Sequence, residues 1–303
     1  MKPTMAMAAL MVAAAVIAMG QNSKPASNTQ APGGASQTQP SITNPKGKHP
    51  PSAKTKQEYD AYAAAAGKPD AASMEAAARE FEVQFPNSEL LPLLFQQALD
   101  RYQKADNSDK ALDMGRKVLQ YDPDNTFALV MNATVLAENT RETDIDRDQR
   151  LKEADTDAQR ALDNIQSGNF LLAPNATPEQ VEQFKNQVTS MAYNSLGTAA
   201  MVRKDNAAAE QNFRKALNTS AGKTDPYLWY RLALALDRQG KYTDGNGAIT
   251  MAVALAPANS QVAKMAAAEQ SRLKQLMVTA SAPPATAAPK AQDRPQPETV
   301  QSK

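Results

Sequence analysis

Apolar side chains are spread unevenly along the 303 residues. They run unbroken from Met5 to Met19 and become sparse from Gln21 to Thr55. They recur at intervals of three and four from Lys56 to Leu276, then give way to Ala, Pro and Gln from Met277 to Lys303. The third stretch has helical spacing and no strand-like alternation, which predicts an all-α fold over 56–276. Its clearest segment is Tyr227–Leu236, an apolar face of nearly three turns with Asp225 placed to cap it and Pro226 at its first position. Gln239-Gly240-Lys241-Tyr242 breaks that helix, and Ala248–Leu255 supplies a second one, closed by Pro257. Of the 20 prolines, twelve lie outside 56–276, and those inside fall in turns or first helical turns, where a missing N–H costs little.

The helices come in pairs with a repeating pattern. In residues 226–257, Trp229, Leu232 and Ala233 mark the first helix, Ala252 the second and Pro257 the end. In 190–223 the same slots hold Tyr193, Leu196 and Gly197, then Ala209, Phe213 and Ala216. In 92–125 Phe95, Ala98 and Tyr102 fit the first helix of the pattern and Ala111, Tyr121 and Pro123 the second helix and its end, with Leu99 and Gly115 departing from it. This spacing resembles the tetratricopeptide repeat, a 34-residue helix–turn–helix module in which small residues sit where two helices cross. A unit from Thr126 is interrupted, with Leu129, Ala133 and Leu136 on its first helix and Ala154, Ala158 and Ala161 on its second. A degenerate first unit covers Lys56–Ser88. The resemblance implies an α-solenoid of about five repeats with insertions near 137–150 and 166–177, and Asn259–Leu276 as a polar-faced capping helix. Thr177-Pro178-Glu179-Gln180 has the form of a capping box and starts a first helix prolonged from Pro178 to about Met201.

The ends read differently. Lys2, the apolar run and Ala18-Met19-Gly20 form the three regions of a secretory signal peptide over 1–20, with an uncleaved anchor as the alternative. Residues 21–55 lack the apolar surface to offset ordering entropy and are expected to be a disordered linker, as is the tail 277–303. The linker's charges are all lysines, which allows peripheral contact with an anionic envelope surface. The expected location is therefore the periplasm or cell envelope.

Composition narrows the chemistry. The chain has no Cys, so it holds no disulfide, cysteine zinc site, thiol nucleophile or lipidated Cys. Its single His, His49, sits in the linker and rules out multi-His metal sites. With 33 basic and 32 acidic residues it lacks the surplus of a general nucleic-acid binder, and residues 57–276 alone carry 24 basic against 30 acidic side chains. Asp144, Asp146 and Asp148 alternate like a calcium loop, but Gln149 replaces the glycine of the sharp turn and Arg147 and Arg150 sit inside it. No nucleophile elbow or phosphate-binding glycine loop is present, so no catalytic, cofactor or metal residues are expected.

Family resemblance implies that first helices line a concave groove for a peptide or partner helix. Carried onto this sequence, the lining is Gln96, Asp100 and Gln103 in the second unit, and Phe127, Val130 and Thr134 in the third. The fourth unit adds Asn194, Thr198 and Met201, and the fifth adds Tyr227, Tyr230 and Asp237. The set is close to neutral, amide- and tyrosine-rich, and lacks the basic clamp for a C-terminal carboxylate. The expected function is thus a non-catalytic protein-interaction scaffold. The alternatives are a self-assembling structural protein using the apolar loop Phe170–Leu172, or a hydrolase without recognisable motifs.

Overall fold

The computed structural model describes residues 50–172 and 176–281. The signal-peptide segment, nearly all of the linker and the tail beyond Ser281 lie outside them. Among the described residues the chain forms twelve helices and no strand. In order these are α1 (Lys56–Ala66), α2 (Ala71–Gln84), α3 (Leu91–Lys104), α4 (Ser108–Tyr121), α5 (Thr126–Asn139) and α6 (Arg147–Ser167). They continue with α7 (Pro178–Val202), α8 (Asn206–Leu217), α9 (Ser220–Lys223), α10 (Pro226–Asp237), α11 (Tyr242–Leu255) and α12 (Gln261–Ser281). Each helix packs mainly on its neighbours in the chain, and α5 also packs on α7.

Local chemistry sets the helix limits. Thr55, Asp70, Asn107, Asn125, Asp205 and Asp225 each accept a backbone N–H at a helix start. Thr177 and Gln180 form the reciprocal capping box that opens α7. Three hairpins turn in the same way. Asp106 (φ 55°), Lys204 (φ 64°) and Gly240 (φ 73°) are left-handed. The next N–H then reaches back five residues to Tyr102 O, Ala200 O and Leu236 O at 2.9–3.0 Å, closing the helix end. Asp106→Gly is expected to raise stability by up to about 1 kcal/mol, read from the urea midpoint, because glycine adopts this conformation without strain.

Small residues let the pairs close. Gly197 on α7 lies against the Phe213 ring on α8, and a β-carbon there would sit 2.5 Å from it. Gly115, off the repeat pattern, has its own reason: a β-carbon would fall 1.9 Å from Asn132 Oδ1. The core runs along the helices, with Phe95 and Phe213 its largest fully buried side chains.

Two expectations shift. The last helix continues to Ser281, beyond the 276 limit. On α10, Leu228 is buried (1% exposed), while Trp229 is half-buried and donates its indole N–H to Lys223 O at 3.0 Å. That carbonyl is carried by α9, a single extra turn packed against α7 and α8.

Candidate functional site

Four of the expected groove residues meet. Thr198 and Met201 on α7 face Tyr227 and Tyr230 on α10 across an open cleft of about 300 Å³. The α5–α6 connection contributes Glu142 and α12 contributes Met265. Val202 on α7, and Arg231, Leu234 and Arg238 at and beyond α10, complete the walls. Along α10 and its C-cap the lining residues fall at 227, 230, 231, 234 and 238, one continuous helical stripe. That stripe is the sequence signal that would have added Arg231, Leu234 and Arg238 to the expected set. Glu142 and Met265 carry no comparable signal, since they arrive from distant segments.

The cleft is fixed by polar contacts behind it. Arg231 donates from Nη1 to Asn194 Oδ1 (2.7 Å) on α7 and from Nη2 to Glu138 Oε1 (2.8 Å) on α5, tying three helices together. Asp225 caps α10 through the Tyr227 N–H at 2.8 Å, and burial holds its carboxyl above the usual range. Lys204 pairs with Glu142 at 2.8 Å and draws its carboxyl below the usual range. Burial raises the Tyr230 phenol, so it stays protonated as a donor at neutral pH. Neither Tyr227 nor Tyr230 uses its hydroxyl in a hydrogen bond among the described residues. Thr198 Oγ1 is shielded from solvent and has no partner there either. The cleft thus presents phenol and guanidinium donors beside Met201, Val202, Leu234 and Met265, chemistry suited to an apolar side chain flanked by peptide carbonyls.

The other expected groove residues do not join this surface. Val130 is fully buried and Thr134 is 2% exposed, its hydroxyl shared with Val130 O (2.8 Å) and Ser195 Oγ (3.1 Å). Phe127 is buried with them. The reason is that α5 is enclosed: α4, α6 and α7 pack around it, and every residue from Thr126 to Ala137 is buried. Asn194 is buried and occupied by Arg231. Asp237 is held in an ion pair with Arg272 of α12. Gln96, Asp100 and Gln103 sit on α3, away from the cleft. Gln96 is buried and accepts from Asn125 at 3.3 Å, and Asp100 pairs with Lys104 at 2.6 Å.

The remaining candidates are engaged locally. Asp144 accepts the Arg141 N–H at 2.8 Å, Asp148 pairs with Arg147 at 2.8 Å, and Asp146 lies 3.8 Å from Arg150. Phe170 packs on Phe184 of α7, with ring centroids 5.2 Å apart, and Thr126 Oγ1 donates to Asn169 O at 3.3 Å. The loop therefore folds back on the prolonged start of α7, leaving Phe170–Leu172 half-buried. No described helix is long and apolar enough to cross a membrane. Comparison with known proteins finds no family profile that matches the chain, and no characterised protein matches it significantly.

Proposed function

We propose that the protein is a tetratricopeptide-repeat scaffold of the periplasm or cell envelope, with about five repeats and a capping helix, and that it binds a peptide segment of a partner protein without catalysing a reaction. One observation carries the reading: two facing helical stripes bring two phenols and a threonine hydroxyl, none hydrogen-bonded among the described residues, and four apolar side chains into one cleft. Tyrosine is a favoured interface anchor because it buries a large rigid ring at low entropic cost while its hydroxyl stays wet. The small-residue crossings at Gly197 and Ala209, the recurring left-handed turns and the neighbour-on-neighbour packing support the repeat reading.

The test places a photoreactive side chain at position 201 in the full chain, on the cleft wall opposite Tyr230, and identifies what it captures in a cell-envelope fraction. Tyr230→Ala is expected to weaken the captured partner about 30-fold by calorimetry, the loss typical of an interface anchor. Tyr230 is only half-buried, so the melting temperature should move little. Unchanged affinity in Tyr230→Ala would remove the cleft from the binding surface.

A further inference from the structure

The open hydrogen-bonding capacity of the cleft is weighted towards donors. Tyr227, Tyr230 and Thr198 bring hydroxyls without a partner among the described residues, and the exposed guanidinium of Arg238 makes no ion pair there. Arg231 is already occupied by Asn194 and Glu138, and the carboxylate in the lining, Glu142, is held by Lys204 at 2.8 Å. A ligand carbonyl can therefore meet any of the hydroxyl or guanidinium protons, whereas a ligand N–H competes for hydroxyl lone pairs alone. An N–H pressed against Met201 or Met265 would lose its water and gain no acceptor. Proline suits such a surface. It keeps its C=O, has no N–H, and in an extended polyproline helix lays its ring on aromatic side chains with its carbonyls unbonded.

The chain carries such a segment next to the cleft. Residues 282–303 hold Pro283, Pro284, Pro289, Pro295 and Pro297 and no glycine or aromatic residue. They follow directly on α12, the helix that contributes Met265 to the cleft wall. Ser281, the last residue of α12, lies sixteen positions after Met265, which is about 24 Å of helix. An extended chain covers that distance in about eight residues at about 3.1 Å each. The stretch that begins near position 290, with Pro295-Gln296-Pro297, is therefore long enough to return to the two tyrosines.

We propose that residues 294–298 dock in the cleft of their own chain, with prolines against Tyr227 and Tyr230 and carbonyls accepting from their hydroxyls, so that a partner peptide has to displace them. The inference rests on the reading of the cleft as a peptide-binding surface. What favours the chain's own segment as occupant is its tether: a flexible link of this kind gives an effective concentration on the order of millimolar. A weak proline-rich sequence then fills the site when no partner is present and yields to a tighter one.

The experiment uses the full chain with a nitroxide on Thr299→Cys, the one thiol in a sequence that has none of its own. The methyl NMR signals of Met201 and Met265 on the cleft walls should broaden, while those of Met74 and Met114, buried on α2 and α4, should not. Replacing Pro295 and Pro297 by alanine returns two N–H donors and should lower the docked-to-free ratio about tenfold, sharpening both cleft signals. Tyr230→Ala should sharpen them as well. Unbroadened cleft signals, or broadening that persists with both prolines replaced, would overturn the docking. Broadening of an unlabelled chain by a labelled one would assign the contact to a second copy and overturn it too. The two readings fail separately. Unbroadened signals, with partner affinity still lost in Tyr230→Ala, remove the tail but keep the cleft as a partner site. Broadening that Tyr230→Ala abolishes, with partner affinity unchanged, keeps the tail and removes the partner.

Discussion

Gly197→Ala is expected to lose about 2–3 kcal/mol of stability, although the same change in an open helix gains up to about 1 kcal/mol from backbone entropy. The sign is therefore the test. The added methyl would lie 2.5, 2.6 and 3.0 Å from three atoms of the Phe213 ring, the first two closer than β-carbons come to their neighbours. Phe213 is fully buried, so the ring cannot swing out to solvent and α7 must move away from α8 instead. Urea midpoints at unchanged m-value measure the loss. Phe213→Leu removes the ring edge, so the double variant should recover at least about 1 kcal/mol relative to additivity. A stabilising Gly197→Ala would mean that the two helices do not approach this closely.

Phe95→Ala is expected to cost more, about 3–5 kcal/mol. Its side chain is fully buried, stacked parallel to Tyr121 at 6.1 Å with 1° between the planes, and Lys117 Nζ lies 5.8 Å from its centroid. Those neighbours cannot collapse into the gap, because Glu82 holds both the Tyr121 hydroxyl and the Lys117 ammonium from α2. Thermal denaturation should show a fall of roughly 6–20 °C, given about 2–4 °C per kcal/mol for a chain of this size. Hydrogen exchange should accelerate in α2–α4 before α10–α12, because contacts run between chain neighbours. A loss below about 1 kcal/mol would contradict the rigid packing described for this site.

These two positions also show what the sequence discloses. Gly197 stands at the slot where the repeat pattern places a small residue, and Phe95 at its aromatic slot, so both could be read from spacing. The Asp225-Pro226 start, the Thr177–Gln180 box and the long α7 were likewise legible, because capping depends on residues three or four apart. Gly115 is an exception to the repeat spacing, and its cause is a side chain on another helix that no local spacing reveals. Position within the repeat assigns Val130 and Thr134 to a groove. Helical period defines which side chains share a face, but not how many helices surround it, and α7 covers the face that a regular array would leave open. Leu228 and Trp229 differ by one position, about 100° around the helix, and both are large and apolar, so spacing alone does not say which is enclosed.

The Arg231–Glu138 clasp joins residues 93 positions apart in the chain. Most other partners lie within one or two hairpins of each other. During synthesis at about 5–20 residues per second, Glu138 therefore waits roughly 5–20 s for its arginine, while each earlier helix finds its neighbour within a few seconds. This late contact is the one that sets the back of the cleft, so a nascent or truncated chain ending before Arg231 would have its earlier helices packed yet have no cleft.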